Sequence, residues 1–294
     1  MQLIDGKALA LQIQYEIREE VEAMVGNGSR PPHLAAILVG DDPASHAYVR
    51  NKVKACETVG FSSTLIRKES EISQAELMEL IHGLNYDSSI DGFIVQLPLP
   101  GHIDETKVTM AINPGKDVDG FHPCNFGRMA LGLPAYIPAT PLGILTMLER
   151  YQIETAGKKV VVVGRSNIVG TPMGVLLSRK SNPGNATVTI THSRTKNINK
   201  ELLDADIIIA AIGMAYFIKK EMVKPGAVVI DVGINRVEDA TRKSGYKLVG
   251  DVDFDGVAEI CSYITPVPGG VGPMTVTALL MNTLKAARKE IYTE

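Results

Sequence analysis

Apolar residues in the first 25 positions recur every three or four residues, the spacing that lines one face of a helix. They are Leu9, Ile13, Ile17, Val21 and Met24. The pattern predicts an amphipathic helix over residues 7–25 that packs through this face.

Apolar runs and amphipathic segments then alternate along the chain. In the first half they predict strands at 34–39, 63–67 and 93–97, and helices at 44–59 and 74–84. A loop-rich stretch is predicted at 113–141. In the second half they predict a helix at 142–151, strands at 159–163, 187–191, 207–210 and 227–231, and a last helix at 274–291. Alternating strands and helices form parallel sheets, so we predict an α/β fold.

Length, charge and cysteine content narrow the class of protein. The chain has 294 residues with 45% apolar content, enough to build two domains. The formal net charge is −3, with acids and bases mixed, so neither nucleic acid nor a membrane surface is an expected partner. The absence of a signal-peptide pattern and of long apolar runs predicts a cytoplasmic protein. Cysteine and histidine spacings predict neither a disulfide nor a metal site.

A glycine-containing segment joins the strand at 159–163 to the next predicted helix. From Gly164 to Pro172 it reads Gly-Arg-Ser-Asn-Ile-Val-Gly-Thr-Pro. Glycine lets the backbone approach a pyrophosphate, and the positive N-terminal end of a helix stabilises the phosphate charge. Because the spacing departs from GxGxxG, the segment by itself also suits a purely structural turn.

The end of the next predicted strand indicates which cofactor such a loop would bind. NAD enzymes carry an acid at this point for the ribose hydroxyls, but residues 191–195, Thr-His-Ser-Arg-Thr, contain no carboxylate. Ser193, Arg165 and Arg194 suit the additional phosphate of NADP, although solvated surface arginines would give the same pattern. Residues 233–234 follow a later strand, at the sheet edge where ligands bind in open α/β folds. We predict NADP rather than NAD.

Polar residues of the first half form a candidate catalytic group. Ser45, Tyr48 and Lys52 are three and then four positions apart, so they project from one face of a helix. A lysine stem lying over apolar surface beside a tyrosine would give the same spacing. Gln96 ends a predicted strand just before two prolines, which stiffen the exit.

Two loops accompany this group. Residues 116–121, Lys-Asp-Val-Asp-Gly-Phe, form an acidic loop that contains a glycine. Residues 266–275, Pro-Val-Pro-Gly-Gly-Val-Gly-Pro-Met-Thr, precede the last helix. Such a glycine-rich loop lets backbone press against a ligand, although its composition also suits a connector between domains.

Five motifs in one order make the pattern specific. They are Tyr-Val-Arg-Asn-Lys at 48–52, Val-Gln-Leu-Pro-Leu-Pro at 95–100, Lys-Asp-Val-Asp-Gly at 116–120, and the two loops at 164–170 and 266–275. Through them the chain resembles the bifunctional methylenetetrahydrofolate dehydrogenase/methenyltetrahydrofolate cyclohydrolase family, from about Ile4 to the last helix. The resemblance implies a folate-binding catalytic domain of residues 1–140 plus 275–294, a Rossmann-like NADP-binding domain of residues 141–274, and a homodimer.

The resemblance also implies site residues. Lys52 is the acid/base group, Gln96 its hydrogen-bonding neighbour and Tyr48 the aromatic wall of the folate site. Asp119 binds the pterin, with Asp117 as the second choice. Lys52, Gln96, Asp119 and Tyr48 are thus the catalytic candidates, and further substrate contacts are implied for Leu97, Pro268, Gly269 and Gly270. NADP contacts are implied for Gly164, Arg165, Ser166, Ile168, Val169, Gly170, His192, Ser193, Arg194, Gly233 and Ile234.

The implied reactions are oxidation of 5,10-methylenetetrahydrofolate by NADP and hydrolysis of the methenyl product to 10-formyltetrahydrofolate. One alternative is another two-domain NADP oxidoreductase, of the shikimate dehydrogenase type, which also uses a lysine and an aspartate. The Gln-Leu-Pro-Leu-Pro and Pro-Val-Pro-Gly-Gly segments argue against it. A second alternative is a nucleotide sensor without turnover, which the joint presence of Lys52, Gln96 and Asp119 disfavours.

Overall fold

The computed structural model describes residues 1–242 and 245–292. Residues 243, 244, 293 and 294, which the predicted domain ranges include, lie outside the described residues. The helices are α1 (Gly6–Gly26), α2 (Pro43–Val59), α3 (Gln74–Tyr86), α4 (Glu105–Ala111), α5 (Pro123–Ala130), α6 (Ala139–Arg150), α7 (Gly170–Ser178), α8 (Ile198–Leu203), α9 (Phe254–Ala258) and α10 (Val271–Ala287). The strands are β1 (Gln2–Leu3), β2 (His33–Val39), β3 (Ser62–Lys68), β4 (Gly92–Val95), β5 (Lys159–Val163), β6 (Thr187–Thr191), β7 (Ile207–Ala210), β8 (Val228–Asp231), β9 (Asn235–Glu238), β10 (Tyr246–Val249) and β11 (Tyr263–Ile264).

The chain divides into two compact units. Unit 1 comprises Met1–Ala10 and Thr140–Thr275, and unit 2 comprises Leu11–Ala139 and Val276–Glu294. The first ten residues fall in unit 1 because β1 pairs in parallel with β11. The C-terminal segment groups with unit 2, as expected for a last helix that returns to the first domain.

Unit 2 contains a parallel sheet with the strand order β3-β2-β4. The central strand β2 is buried from Leu34 to Val39, because a parallel sheet is covered by helices on its faces. Helix α2 begins where the Asp42 carboxylate accepts a hydrogen bond from the Ser45 backbone at 2.7 Å, which satisfies one free N–H of the first turn. The cap therefore fixes the start of α2, and the helical spacing of Tyr48 and Lys52 places them on one face.

Unit 1 contains a six-stranded sheet in the order β1-β11-β8-β7-β5-β6, in which the paired strands run parallel. Strands β7 and β8 are buried along their whole length, so their apolar runs fill both faces of the sheet. An antiparallel hairpin of β9 and β10 follows β8. The parallel order, with helices between strands, is Rossmann-like and confirms the predicted α/β fold with two domains.

Some elements differ from the sequence-based expectation. Strand β4 ends at Val95, two residues before the predicted end at 97, and the predicted loop stretch 113–141 contains α5 and the start of α6. Helix α5 was missed because its start depends on a polar cap, the His122 ring nitrogen accepting from Cys124 N at 3.0 Å. Its eight residues are also too few to display a clear apolar period.

Candidate active site

Lys52 is the centre of the polar group in unit 2. Its side chain lies on α2 on the same face as Ser45 and Tyr48, and the residue is only 8% exposed. The Nζ atom donates a hydrogen bond to Oε1 of Gln96 at 3.2 Å. A buried ammonium normally pairs with a carboxylate, because desolvation of the charge is costly. Here the hydrogen-bonded partner is a neutral amide, which orients the amine without forming an ion pair with it.

Hydrogen bonds fix both the backbone and the side-chain amide of Gln96. Its backbone N–H donates to Ile37 O at 2.9 Å, which continues the β4–β2 ladder by one residue. Its side-chain Nε2 donates to Leu97 O at 2.7 Å, so the carbonyl oxygen is left to face Lys52. The strand end thereby fixes the amide and, through it, the amine. Leu97 follows directly and is half-buried.

The two acids of the 116–121 loop have different environments. Asp117 is 1% exposed, and its carboxylate accepts hydrogen bonds from Phe121 N at 3.2 Å, His122 N at 2.8 Å and Asn125 Nδ2 at 2.9 Å. Burial raises the pKa of Asp117 to about 7. The Asp119 carboxylate receives no hydrogen bond from the described residues and is half-buried. Asp117 therefore holds the loop, whereas the acceptor oxygens of Asp119 are not engaged by the described residues.

Asp119 and Lys52 influence each other electrostatically. Burial raises the pKa of Asp119, and the positive charge of Lys52 lowers it in part. Lys52 in unit 2 is thus hydrogen-bonded to Gln96 and interacts electrostatically with Asp119. Tyr48, one helical turn before Lys52, is half-buried, and its burial raises the pKa of the phenol.

A further residue that supports this loop was not predicted. Asn282 on α10 is 1% exposed, and its Nδ2 donates to Val118 O at 2.8 Å and to Ile137 O at 2.9 Å. Both bonds fix backbone on either side of the segment that carries Asp119. No motif marks Asn282, because it lies 164 residues from Val118 along the chain.

In unit 1 the predicted nucleotide loop forms a tight turn after β5. Gly164 has φ of +119°, and a side chain at Gly170 would overlap the Gly164 carbonyl, so both positions require glycine. The Ser166 hydroxyl accepts hydrogen bonds from Val169 N at 3.2 Å and Gly170 N at 3.4 Å at the start of α7. The side chains of residues 165–168, including Arg165 and Ile168, are exposed, whereas Val169 is buried. Bare backbone and an exposed cation fit the phosphates of a dinucleotide.

The loop after β6 lies beside this turn. Gly164 N donates to Thr191 O at 2.9 Å, which joins the carboxyl ends of β5 and β6. Ser193 and Arg194 are exposed there, while the His192 ring accepts from Arg194 N at 3.2 Å. The ring thus shapes the loop, and the hydroxyl and the guanidinium remain available.

The other predicted ligand-binding glycines also lie in unit 1. Gly233 is buried and Ile234 is 46% exposed, just after the carboxyl end of β8. Pro268 is exposed, and Gly269 O accepts from Lys7 N at 2.8 Å. Gly270 is buried against Gly6, and a side chain at Gly6 would overlap the Gly270 carbonyl. These three residues belong to a different unit from Tyr48, Lys52, Gln96 and Asp119.

The described residues contain neither a metal-binding cluster nor a membrane-spanning helix. Within the described part of the chain, no cluster of three or more His, Cys, Asp or Glu side chains is arranged to hold a metal ion. Among residues 1–242 and 245–292, no helix has both the length and the apolar character to traverse a bilayer.

The fold and the two groups of residues define a two-domain α/β enzyme with one unit built for a nicotinamide dinucleotide. Sequence models of the tetrahydrofolate dehydrogenase/cyclohydrolase family match the chain, the catalytic domain at residues 4–119 and the NAD(P)-binding domain at residues 138–291. The chain belongs to this family. It is a bifunctional dehydrogenase and cyclohydrolase of folate one-carbon metabolism.

Relatives at high identity agree with this assignment. The bifunctional protein FolD of Phocaeicola vulgatus is 61% identical over 99% of this chain and 100% of its own. Among solved structures, FolD methylenetetrahydrofolate dehydrogenase/cyclohydrolase from Campylobacter jejuni has a TM-score of 0.93 and 47% identity, covering 99% of each chain. The Trypanosoma brucei enzyme, solved with NADP and an inhibitor, has a TM-score of 0.92 and 39% identity, covering 98% of each chain.

The rival enzyme class shares only the fold. Shikimate dehydrogenase 1 from Peptoclostridium difficile is 14% identical with a TM-score of 0.50, covering 87% of this chain and 92% of its own. The alternative of a shikimate-type oxidoreductase is therefore set aside.

Proposed function

We propose that Lys52 is the acid/base group of the cyclohydrolase reaction, in a folate site formed with Gln96, Asp119 and Tyr48. The observation that carries this assignment is the buried Lys52 amine, hydrogen-bonded at 3.2 Å to the neutral amide of Gln96. A general acid/base group must be held with its donor atom directed at the reacting atoms. The Gln96 amide accepts from the amine and so orients it, while forming no ion pair with it.

The hydrolysis requires two proton transfers. Water loses a proton as it attacks the methenyl carbon, and a ring nitrogen gains one as the intermediate opens to 10-formyltetrahydrofolate. A single amine that accepts the first proton and returns it can serve both steps. We assign this exchange to Lys52, and the hydrogen bond to Gln96, which fixes the direction of the amine, supports the assignment.

Asp119 is assigned to the pterin. The pterin edge presents adjacent N–H donors, which a carboxylate can accept in a fork. The free acceptor oxygens of Asp119 support this role, and the three hydrogen bonds already accepted by Asp117 argue against the second choice. Tyr48 lies on the same helical face as Lys52 and offers a ring for stacking on the aromatic parts of folate. Leu97 and the 268–270 loop are assigned to further substrate contacts.

The dehydrogenase reaction uses NADP, which accepts a hydride from the bridging carbon of methylenetetrahydrofolate. The protein has to hold the reacting carbons in near-attack geometry, which can supply about 7–11 kcal/mol of the barrier at best. Residues 164–170, with Ser193 and Arg194, are assigned to the phosphates, and Gly233 and Ile234 to the nicotinamide end. The absence of a carboxylate after β6, together with the exposed Arg165 and Arg194, supports NADP over NAD.

We assign folate binding to residues 1–140 plus 275–294 and NADP binding to residues 141–274. Unit 1 also contains the first ten residues, which contribute β1 to its sheet. A homodimer and a cytoplasmic location are inferred from the resemblance and from the sequence. Light scattering on the purified protein tests the dimer.

One assay tests both activities. Methylenetetrahydrofolate and NADP are added to the purified chain, and reduced nicotinamide and methenyl absorbance are followed together. We expect reduced nicotinamide to accumulate while methenyl absorbance stays low as the product is hydrolysed. Absence of both signals would mean that the chain is not this enzyme, and replacement of NADP by NAD at equal rate would contradict the cofactor assignment.

A further inference from the structure

Asp251 lies at the centre of a buried hydrogen-bond network in unit 1. Asp251 is fully buried, at 0% exposure. Its Oδ2 accepts hydrogen bonds from Ile212 N at 2.8 Å and from Gly213 N at 3.0 Å. Its Oδ1 accepts from Met214 N at 2.8 Å and from Asn235 Nδ2 at 2.9 Å. Three consecutive backbone N–H groups and one side-chain amide thus converge on one carboxylate.

A second buried aspartate continues the network. Asp231 is 3% exposed and ends β8, and its carboxylate accepts from Gly233 N, Asp251 N and Val252 N, each at 2.9 Å. The backbone N–H of Asp251 therefore donates to the Asp231 carboxylate, while the Asp251 side chain accepts from the backbone N–H groups of residues 212–214.

The packing around both carboxylates is tight. A side chain at Gly233 would overlap the Asp251 carboxylate, and one at Gly250 would overlap the Asp231 carboxylate. Two glycines are thus required so that the network can close. This arrangement specifies the loop geometry and leaves little room for rearrangement.

The network lies at a functional edge of the sheet. Residues 212–214 follow β7 and residues 233–234 follow β8, so both segments extend from the carboxyl ends of neighbouring parallel strands. Ligands of open α/β sheets bind at this edge. Neither aspartate presents its carboxylate to solvent, so neither can contact a cofactor directly.

We propose that Asp251, linked to Asp231, is a positioning residue that holds the 212–214 and 233–235 segments against the nicotinamide end of NADP. The inference rests on the proposed placement of the nicotinamide beside Gly233 and Ile234. Asp251 acts through the backbone it binds, and the dehydrogenase depends on it. The cyclohydrolase, which uses no nicotinamide, does not.

The variant Asp251→Asn tests this role. The amide retains the shape of the side chain but replaces one acceptor oxygen by an N–H₂ group, which faces either Ile212 N and Gly213 N or Met214 N and the Asn235 amide. In either orientation at least one backbone N–H of residues 212–214 loses its acceptor. Asp206→Asn is the matched control, because Asp206 also binds a backbone N–H, that of Lys159 at 2.9 Å, but precedes β7 at the opposite edge of the same sheet.

Four quantities are measured on the full chain: dehydrogenase kcat, cyclohydrolase rate on methenyltetrahydrofolate without cofactor, the dissociation constant of adenosine 2′,5′-bisphosphate, and the unfolding temperature. We expect Asp251→Asn to lower dehydrogenase kcat about 100-fold, the loss that follows a displacement near 1 Å. The cyclohydrolase and the binding of the bisphosphate, which contains no nicotinamide, stay within about twofold, as do all activities of Asp206→Asn. Equal losses in all measured activities, or a dehydrogenase within about twofold of wild type, would overturn the proposal.

A milder variant keeps the test valid if Asp251→Asn fails to fold. Asn235→Ala removes one side-chain donor to Asp251 and leaves both carboxylates in place. We expect about a tenfold fall in dehydrogenase kcat, the effect of roughly one hydrogen bond to a charged group, with the cyclohydrolase and bisphosphate binding retained. An unchanged dehydrogenase would refute the role of the network. Wild-type enzyme without dehydrogenase activity would instead refute the proposed function itself.

Discussion

The two units prepare their ligand-binding surfaces in different ways. Unit 2 presents side chains: an amine, an amide and a carboxylate from α2, the end of β4 and the 116–121 loop. Unit 1 presents mainly backbone, from glycine-containing turns at the carboxyl ends of β5 and β8. Acid/base chemistry requires titratable side chains, whereas a dinucleotide is held largely by N–H groups and shape. The difference follows from what each ligand needs.

Both units nevertheless use one structural device. Asp117 in unit 2 accepts three hydrogen bonds and shapes the loop that presents Asp119. Asp231 and Asp251 do the same in unit 1 for segments assigned to the nicotinamide. In each case a buried carboxylate organises backbone, and a different group is assigned to the ligand. Acidic residues in a site are therefore not all ligand-binding residues.

The largest expected effect is the loss of cyclohydrolase activity when Lys52 in unit 2 is replaced. Lys52→Met removes the amine and keeps an apolar stem, so we expect the cyclohydrolase rate to fall by about 10²–10⁴-fold, the usual contribution of general acid/base catalysis. The dehydrogenase should weaken less, because hydride transfer needs little proton movement. Stopped-flow loss of methenyl absorbance measures the first effect.

Lys54→Met is the control for this change, since Lys54 lies two residues further along α2 with an exposed side chain. It should leave both rates near wild type. A Lys52→Met enzyme that still hydrolyses methenyltetrahydrofolate at the wild-type rate would contradict the assignment of the base.

The second expected effect is a pH dependence of the free energy of unfolding, caused by the buried Asp117 carboxyl group. The pKa of Asp117 is raised from 3.8 to about 7 by burial, so between these pH values the folded state binds more protons than the unfolded state. The resulting stabilisation is complete below about pH 4 and is lost as the pH rises through about 7, with a slope of at most about 1.4 kcal/mol per pH unit. Asp117→Asn removes this dependence.

Urea unfolding of wild type and of Asp117→Asn from pH 5 to pH 8 measures this pH dependence. The free energy of unfolding of wild type relative to Asp117→Asn should fall as the pH rises to about 7 and then level off. A relative stability that stays constant from pH 5 to pH 8 would show that Asp117 is already ionised in the folded state and would contradict burial as the dominant influence on its pKa.

The smallest expected effect is on cofactor choice in unit 1. Ser193→Glu places a carboxylate where the additional phosphate of NADP is assigned, and like charges repel at short range. We expect NADP affinity to fall about tenfold, near 1.4 kcal/mol, with a smaller change for NAD. Binding titrations with both cofactors give the ratio.

Ser178→Glu, at an exposed serine that ends α7, is the matched control and should leave the ratio unchanged. If Ser193→Glu also kept the wild-type ratio, the 2′-phosphate would have to lie elsewhere.

Much of the fold was predictable because its elements carry strong local signals. The helix expected at 7–25 is observed at Gly6–Gly26, and strands β6 and β7 have the predicted bounds 187–191 and 207–210. Amphipathic periods and buried β-branched runs are properties of the sequence itself. The hairpin of β9 and β10 was missed because each strand has only four residues, too few to establish a period, and three of the four in β9 are polar.

The candidate sites were predictable only where a motif names the residue. The Lys52–Gln96 hydrogen bond matches the predicted pairing, although the two residues are 44 positions apart. The different environments of Asp117 and Asp119, and the link between Asp231 and Asp251, depend on which backbone donors surround each carboxylate. Asp251 lies 20 residues from Asp231, and only the folded sheet brings them together.

The central claim is that the Lys52 amine acts on the one-carbon unit of a reduced folate. A crystal structure with a bound folate analogue tests it most directly. We expect the ring nitrogens that carry the one-carbon unit to lie within hydrogen-bonding reach of Lys52 Nζ, about 2.6–3.2 Å directly or through one water. We also expect the pterin edge to bind the Asp119 carboxylate. An analogue bound away from Lys52, or an amine turned toward solvent in the complex, would contradict it.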